Sequence, residues 1–166
     1  MSAVNVLVVF YSRYGDAERL ALAAGVGAVQ ARASIRLRRL ADLADPQTIE
    51  ATPAWKASLA RMQRDYVVPR PADPEWADVI VLVTPVETSA EVEAYCASLR
   101  ASGVGVGKIA APLAPGGSEA ALRPVYAAAA CAGLTVVPAA GEDGDPVASA
   151  RAVGQRVTQM ARALKP

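Results

Sequence analysis

Residues 6–20 read VLVVFYSRYGDAERL, and the reading of this stretch decides the fold. Five consecutive large apolar residues end at Tyr11, and the polar turn Ser12, Arg13, Tyr14, Gly15, Asp16 leads straight into a helical pattern. A run with no polar alternation is a strand buried on both faces, as in a parallel sheet. A strand, loop and helix in this order leaves backbone N–H groups and a positive dipole end at the sheet's carboxyl edge, where α/β folds hold anions. A plainer outcome stands beside it. Ser12 or Asp16 can cap the helix, and Asp16 with Glu18 can oppose the dipole without any ligand.

Outward from this stretch the pattern repeats. The spacing predicts a first helix over residues 15–31, with Leu20, Ala24, Gly27 and Ala31 toward the sheet. Strand two, residues 34–40, alternates Ile35 and Leu37 with Arg36 and Arg38, as an edge strand with a wet face does. A long connection over residues 41–77 holds one predicted helix, capped at Thr52 with Pro53 in its first position and Trp55, Leu59, Met62 and Tyr66 as its apolar stripe. Pro69, Pro71 and Pro74 then predict an extended surface loop anchored by Trp76. Strand three covers residues 79–84, and Thr88 with Glu91 has capping-box spacing for the next helix. Strand four, residues 108–114, runs into Pro115, Gly116, Gly117, Ser118 and another helix, with Gly133 as its C′ glycine. Strand five is residues 134–137. After an acidic turn over 141–145, Asp145 and Pro146 open the last helix, with Val153, Val157, Met160 and Leu164 on one face. The expected architecture is therefore α/β: a three-layer αβα sandwich on a five-stranded parallel sheet of order 2-1-3-4-5, in one domain over residues 1–166. Its binding crevice would lie between the loops after strands one, three and four.

Composition narrows the chemistry. Seventeen basic against sixteen acidic residues give no field to attract nucleic acid or an anionic membrane. Arg32, Arg36, Arg38 and Arg39 read as solvated side chains on and beside an edge strand. The two cysteines, Cys96 and Cys131, form neither a CxxC pair nor a zinc site and read as small buried thiols of a reducing cytosol, so a cytoplasmic location is expected. The apolar N-terminal run is too short for a signal segment, and no stretch reaches the roughly 20 apolar residues of a membrane span. Histidine is absent, which removes the commonest general base and metal ligand. The glycine-rich residues 103–108, GVGVGK, miss the P-loop: Ile109 follows where a hydroxyl is needed, and a strand follows instead of a helix. A phospho-acceptor receiver domain is excluded because Phe10 and Tyr11 stand where its acidic residues belong.

Four segments together resemble the flavodoxin-like NAD(P)H:quinone oxidoreductases of the WrbA, or tryptophan-repressor-binding protein, family. VLVVFYSRYGDAERLA resembles the family's first strand and S-x-Y-G phosphate loop, and ADVIVLVTP its third strand. GKIAAPLAPGGSEAAL resembles the G-K-x-A…G-G-Q-E segment, and CAGLTVVP the H-G-M-x-x-V-P segment. The resemblance implies a flavodoxin-like fold, FMN as cofactor, NAD(P)H as reductant, a quinone as acceptor, and a homo-oligomer, dimer or tetramer, to which the small-residue helices also point. It assigns the FMN phosphate to Ser12, Arg13, Tyr14, Gly15, Asp16 and Ala17. The isoalloxazine ring goes to Pro85, Val86, Glu87, Thr88 and Ser89 on one side and to Pro115, Gly116, Gly117 and Ser118 on the other.

The chain also departs from the family. Pro85, Val86, Glu87, Thr88 and Ser89 replace P-T-R-F/Y-G-N, removing the arginine, aromatic, glycine and asparagine. Glu87 beside the ring would disfavour the anionic reduced flavin. Ala114 and Pro115 replace hydroxyl positions, and Pro115 deletes an N–H donor. The family's histidine is replaced within Cys131 and Ala132, and the segment after strand five is short. Three functions follow: an FMN-dependent quinone oxidoreductase, an FMN electron carrier disfavoured by the near-neutral charge, or a degenerate flavodoxin-like domain that serves as an oligomeric or interaction module.

Overall fold

A computed structural model describes residues 2–139 and 144–166. The strands β1 (Val4–Phe10), β2 (Ala33–Arg39), β3 (Val79–Val83), β4 (Ile109–Leu113) and β5 (Thr135–Val136) form one parallel sheet of order β2-β1-β3-β4-β5. Side chains of β1 divide between two cores because successive residues point to opposite faces. Val4, Val6, Val8 and Phe10 pack under α1 (Asp16–Gln30) and α7 (Pro146–Leu164). Leu7, Val9 and Tyr11 pack under α5 (Ala90–Ser102) and α6 (Glu119–Cys131). The chain thus has the three-layer α/β architecture that its apolar strands require.

The sheet's register positions the site. Phe10 pairs with Val83, and Val83 with Leu113, so β1, β3 and β4 end level with one another and their following loops start side by side. β5 is shorter than its apolar run suggests, for a reason in its neighbour. Val137 N–H donates to Ala110 O at 2.8 Å, but the next rung would need an N–H from Pro112, which has none.

Helices α1 and α7 touch backbone to backbone. A Cβ at Gly27 would lie 1.9 Å from Arg151 O, and one at Gly154 would lie 2.0 Å from Ala24 O. Gly27 therefore faces α7 and not the sheet, and the small residues of α1 serve this intrachain contact. On α7 the buried face is Ala150, Val153, Gly154, Val157 and Ala161, whereas Leu164 is 72% exposed and Met160 lies at the margin. The acidic turn lies outside the described residues except for Gly144 and Asp145. Asp145 caps α7 through Val147 N–H at 3.0 Å, with Pro146 at the first helical position.

The β2–β3 connection carries more structure than its prolines suggest. Helix α2 (Pro46–Glu50) is capped by Asp45, and α3 (Pro53–Asp65) starts at Thr52–Pro53 and buries Trp55 and Met62. The segment read as extended loop contains α4 (Ala72–Trp76), which begins directly after Pro71. It forms because Asp73 is drawn inward. Its carboxylate accepts from Arg36 Nη1 at 3.1 Å, from Arg38 Nε at 2.8 Å and from the Arg70 N–H at 2.8 Å. Burial alone would raise the Asp73 pKa, but these donors hold it below the usual carboxylate range. The arginine cluster is correspondingly not simply solvated: Arg36 also stacks on Trp76, and Arg39 is buried.

The other expectations divide in the same way. Gly103 and Gly133 take the positive φ of helix ends, and Gly105 packs against the Ala132 carbonyl, so the glycine run is structural. Cys96 is buried, and burial pushes its thiol up to about 12. Cys131 is exposed on α6, not buried. Among the described residues no helix is long and apolar enough to cross a membrane, and no group of three or more His, Cys, Asp or Glu side chains could hold a metal.

Candidate functional site

The three loops meet at the carboxyl edge of the sheet. Ser12, Arg13, Tyr14, Asp16 and Ala17 of the first loop, Pro85, Val86 and Glu87 of the second, and Pro115 of the third line one crevice. It is narrow, about 10 Å³, room for about one water. Gly116 and Gly117 line a larger neighbouring cavity of about 640 Å³ together with Leu113, Leu122, Tyr126 and Pro146. Gly15, Thr88, Ser89 and Ser118 line neither.

In the first loop the buried Ser12 Oγ accepts from the Gly15 N–H at 2.9 Å. This bond closes the turn and lets Gly15 take φ +110°, a value that favours glycine. Ser12 closes the loop instead of capping the helix, because Gly15 is the N-cap and no side chain caps α1. The first-turn N–H groups of α1 thus remain free of side-chain acceptors, as an anion site requires. Asp16 lies in that turn but points to solvent.

Glu18, also in the first turn, faces the other way. Its buried carboxylate accepts two bonds from Arg61, at 2.9 and 2.5 Å, and one from Tyr66 Oη at 2.6 Å. Arg61 first, and Tyr66 less strongly, hold the Glu18 carboxyl below its ordinary range against the opposing effect of burial. The ion pair fastens α3 to the start of α1, and Tyr66 meets Phe10 edge to face at 5.0 Å between centroids.

Arg13 is fixed by a second set of contacts. Its guanidinium lies 4.2 Å above the Trp55 ring, and its Nε donates to Tyr11 Oη at 3.3 Å. Tyr11 Oη and Trp55 Nε1 both donate to Asp42, at 2.8 and 3.1 Å, and Arg39 pairs with Asp42 at 3.1 Å. Arg39 also donates to Ser12 O at 3.1 Å, so the hub grips the first loop directly. No local motif announces this hub. Trp55 reads as part of an apolar stripe and Asp42 as loop, and only the fold brings them together.

The second loop is arranged differently. The buried Thr84 hydroxyl donates to Thr88 O at 3.0 Å, and the Ser89 hydroxyl donates to Glu93 at 2.6 Å. Thr88 Oγ1 accepts from the Ala90 N–H at 3.1 Å and donates to Glu91 at 3.4 Å, so the capping box is shifted, with Ser89 as the N-cap residue. Every hydroxyl of this loop has a partner in the loop or on α5. Val86 and Glu87 project outward. The third loop turns through Gly116 and Gly117, at φ +64° and +62°, with open space where their side chains would be. Ser118 Oγ accepts from the Ala121 N–H at 3.4 Å and caps α6.

The donor set matches the two ends of FMN unequally. The first loop offers uncapped helix N–H groups, a serine hydroxyl and a guanidinium, which suit a phosphate monoester. The second and third loops offer backbone and open glycines to a ring, with no free hydroxyl among Thr84, Thr88 and Ser89.

No family model matches the chain. Over 82 residues, 49% of this chain and 40% of the relative, it is 35% identical to an NAD(P)H dehydrogenase (quinone) of Deinococcus radiodurans. Over 81 residues, 49% of this chain and 38% of the relative, it is 33% identical to one of Brucella anthropi. The match thus spans about two fifths of the length of these curated relatives. Among solved structures, a flavodoxin from the domain Archaea superposes with a TM-score of 0.64 at 15% identity, covering 96% of this chain and 99% of that one. The two-electron reduced flavodoxin of Megasphaera elsdenii does so at 0.62 and 20% identity, covering 93% and 98%. The chain therefore has the flavodoxin-like fold, and in sequence it is a divergent relative of proteins named NAD(P)H dehydrogenase (quinone).

Proposed function

We propose that this chain, as one flavodoxin-like domain of the cytoplasm, binds FMN where its three loops meet and carries two electrons from NAD(P)H to a quinone. The observation that carries the reading is the first loop: a helix N-terminus left without a side-chain cap, level with the two neighbouring loops, in a chain resembling quinone dehydrogenases. Bound FMN supplies the hydride chemistry, so the protein needs no acid or base of its own. The chain's own residues position and tune. The N–H groups of residues 16–18 and the Ser12 hydroxyl hold the phosphate. Residues 85–89 and the Gly116–Gly117 turn flank the ring. Self-association as a dimer or tetramer belongs to the same proposal.

Titration with FMN tests it. Uptake of the flavin, a yellow protein and quinone-dependent oxidation of NAD(P)H are the expected results. A colourless protein that takes up no FMN overturns the reading.

The internally bonded second loop favours one other function. A flavodoxin-like domain that has given up flavin and serves as an interaction module would keep Thr84, Thr88 and Ser89 occupied in this way. The same titration separates the two.

A further inference from the structure

Among the described residues Arg13 is the one cation lining the three-loop crevice, whose other charged lining residues are Asp16 and Glu87. Its side chain is immobilised on two sides, by the Trp55 ring at 4.2 Å and by Tyr11 Oη at 3.3 Å from Nε. Both anchors are themselves tied to Asp42. Among the described residues neither Nη atom of Arg13 has a hydrogen-bond partner or a carboxylate within salt-bridge reach, although Glu91 and Glu87 act on it electrostatically. The other arginines around this end of the sheet are committed: Arg39 to Asp42, Leu40 O and Ser12 O, and Arg61 to Glu18 and Asp65.

A guanidinium held by Nε and one face, with its outer fork free, is preorganised for a bidentate oxyanion. The crevice otherwise presents carboxylates beside the helix N-terminus, and these repel a dianion. We propose that Arg13 is the side chain that recognises the ligand's phosphate, making the first loop selective for a phosphate monoester over its dephosphorylated counterpart. This rests on the FMN reading above for the identity of the ligand, but the anion chemistry can be tested separately.

FMN and riboflavin are titrated against the wild type, Arg13→Met and Arg13→Lys by flavin fluorescence, with melting of each unliganded protein as a folding control. Arg13→Met is expected to weaken FMN binding about tenfold or more while riboflavin binding changes less than about twofold. Arg13→Lys, which keeps the charge but loses the fork, is expected to recover part of the loss. If both flavins weaken alike, or neither changes, the inference is overturned and the FMN reading survives. If the wild type takes up no flavin, the FMN reading fails and inorganic phosphate decides. At matched ionic strength phosphate should then raise the melting temperature of the wild type more than that of Arg13→Met. Equal shifts, or no shift in the wild type, overturn the inference.

Discussion

Two strand–loop–helix units lie side by side in this molecule, and they use the same architecture in opposite ways. In the unit of β1 and α1, the loop is closed by one internal bond, from Gly15 N–H to Ser12 Oγ, and is otherwise gripped from outside: Arg39 holds Ser12 O, Trp55 holds Arg13 beside Tyr11, Arg61 holds Glu18, and α7 holds the helix through Gly27 and Gly154. In the unit of β3 and α5, the loop is held by its own hydroxyls, Thr84 bonding within the loop and Thr88 and Ser89 bonding to the start of α5. A loop fixed mainly by its surroundings leaves the first-turn N–H groups of the helix it opens free of side-chain acceptors. A loop fixed by its own hydroxyls has used those groups.

The strongest way to break this contrast is to remove the support under α1. Gly27→Val or Gly154→Val drives a side chain into a backbone carbonyl and should cost about 3 kcal/mol or more, read by urea unfolding. Both should also abolish any phosphate or FMN binding at the first loop. A comparably stable Gly27→Val protein would show that the backbone contact is not what fixes the platform.

Glu18→Gln should have the next largest effect, about 1–2 kcal/mol at pH 7, because Arg61 is partly exposed while Glu18 is not. Its pH dependence has a definite sign. The folded-state pKa of Glu18 is depressed, so its contribution is complete above the unfolded carboxyl value of about 4.3 and is lost as pH falls through the folded value. Wild type and Glu18→Gln should therefore converge in stability in acid. A gap that stays constant from pH 7 to pH 3 would exclude the charge as its source.

Thr84→Val tests the other unit. Losing the hydroxyl that holds Thr88 O should cost about 1–2 kcal/mol. Proteolysis between residues 85 and 89 should become faster, while the first loop's affinity for phosphate stays unchanged. The smallest effect belongs to Glu87→Gln. Removing this exposed carboxylate from the crevice should tighten FMN about two- to threefold at low salt, with the gain fading as salt is added. A gain that persists at high salt would place Glu87 in direct contact with the ligand.

Legibility in the sequence follows the range of the interactions. The strands β1 and β3, the Thr52–Pro53 and Asp145–Pro146 helix starts, and Gly103 and Gly133 at helix ends are all decided by a few adjacent residues, so a pattern reveals them. Helix α4 was not visible because it depends on Arg36 and Arg38, more than 30 positions away from Asp73. On α7 the sequence identifies Val153 and Val157 of the inner face, but Ala150, Gly154 and Ala161 complete that face by being small, whereas a reading by hydrophobicity adds the more exposed Met160 and Leu164. Within the site, the order of the three loops and their residues could be read in advance, but not their hydrogen bonds.

The sequence by itself therefore determined the sheet, its order, and which loops stand at its carboxyl edge, because apolar runs without alternation can be buried only in a covered parallel sheet. Only the tertiary structure decided what those loops have to offer. Whether a hydroxyl, a helix N–H or a guanidinium is free depends on partners such as Asp42, Trp55 and Arg61, which come from the β2–β3 connection. Hydrogen-bond donors are committed by proximity in space, and adjacency in the chain carries no record of it.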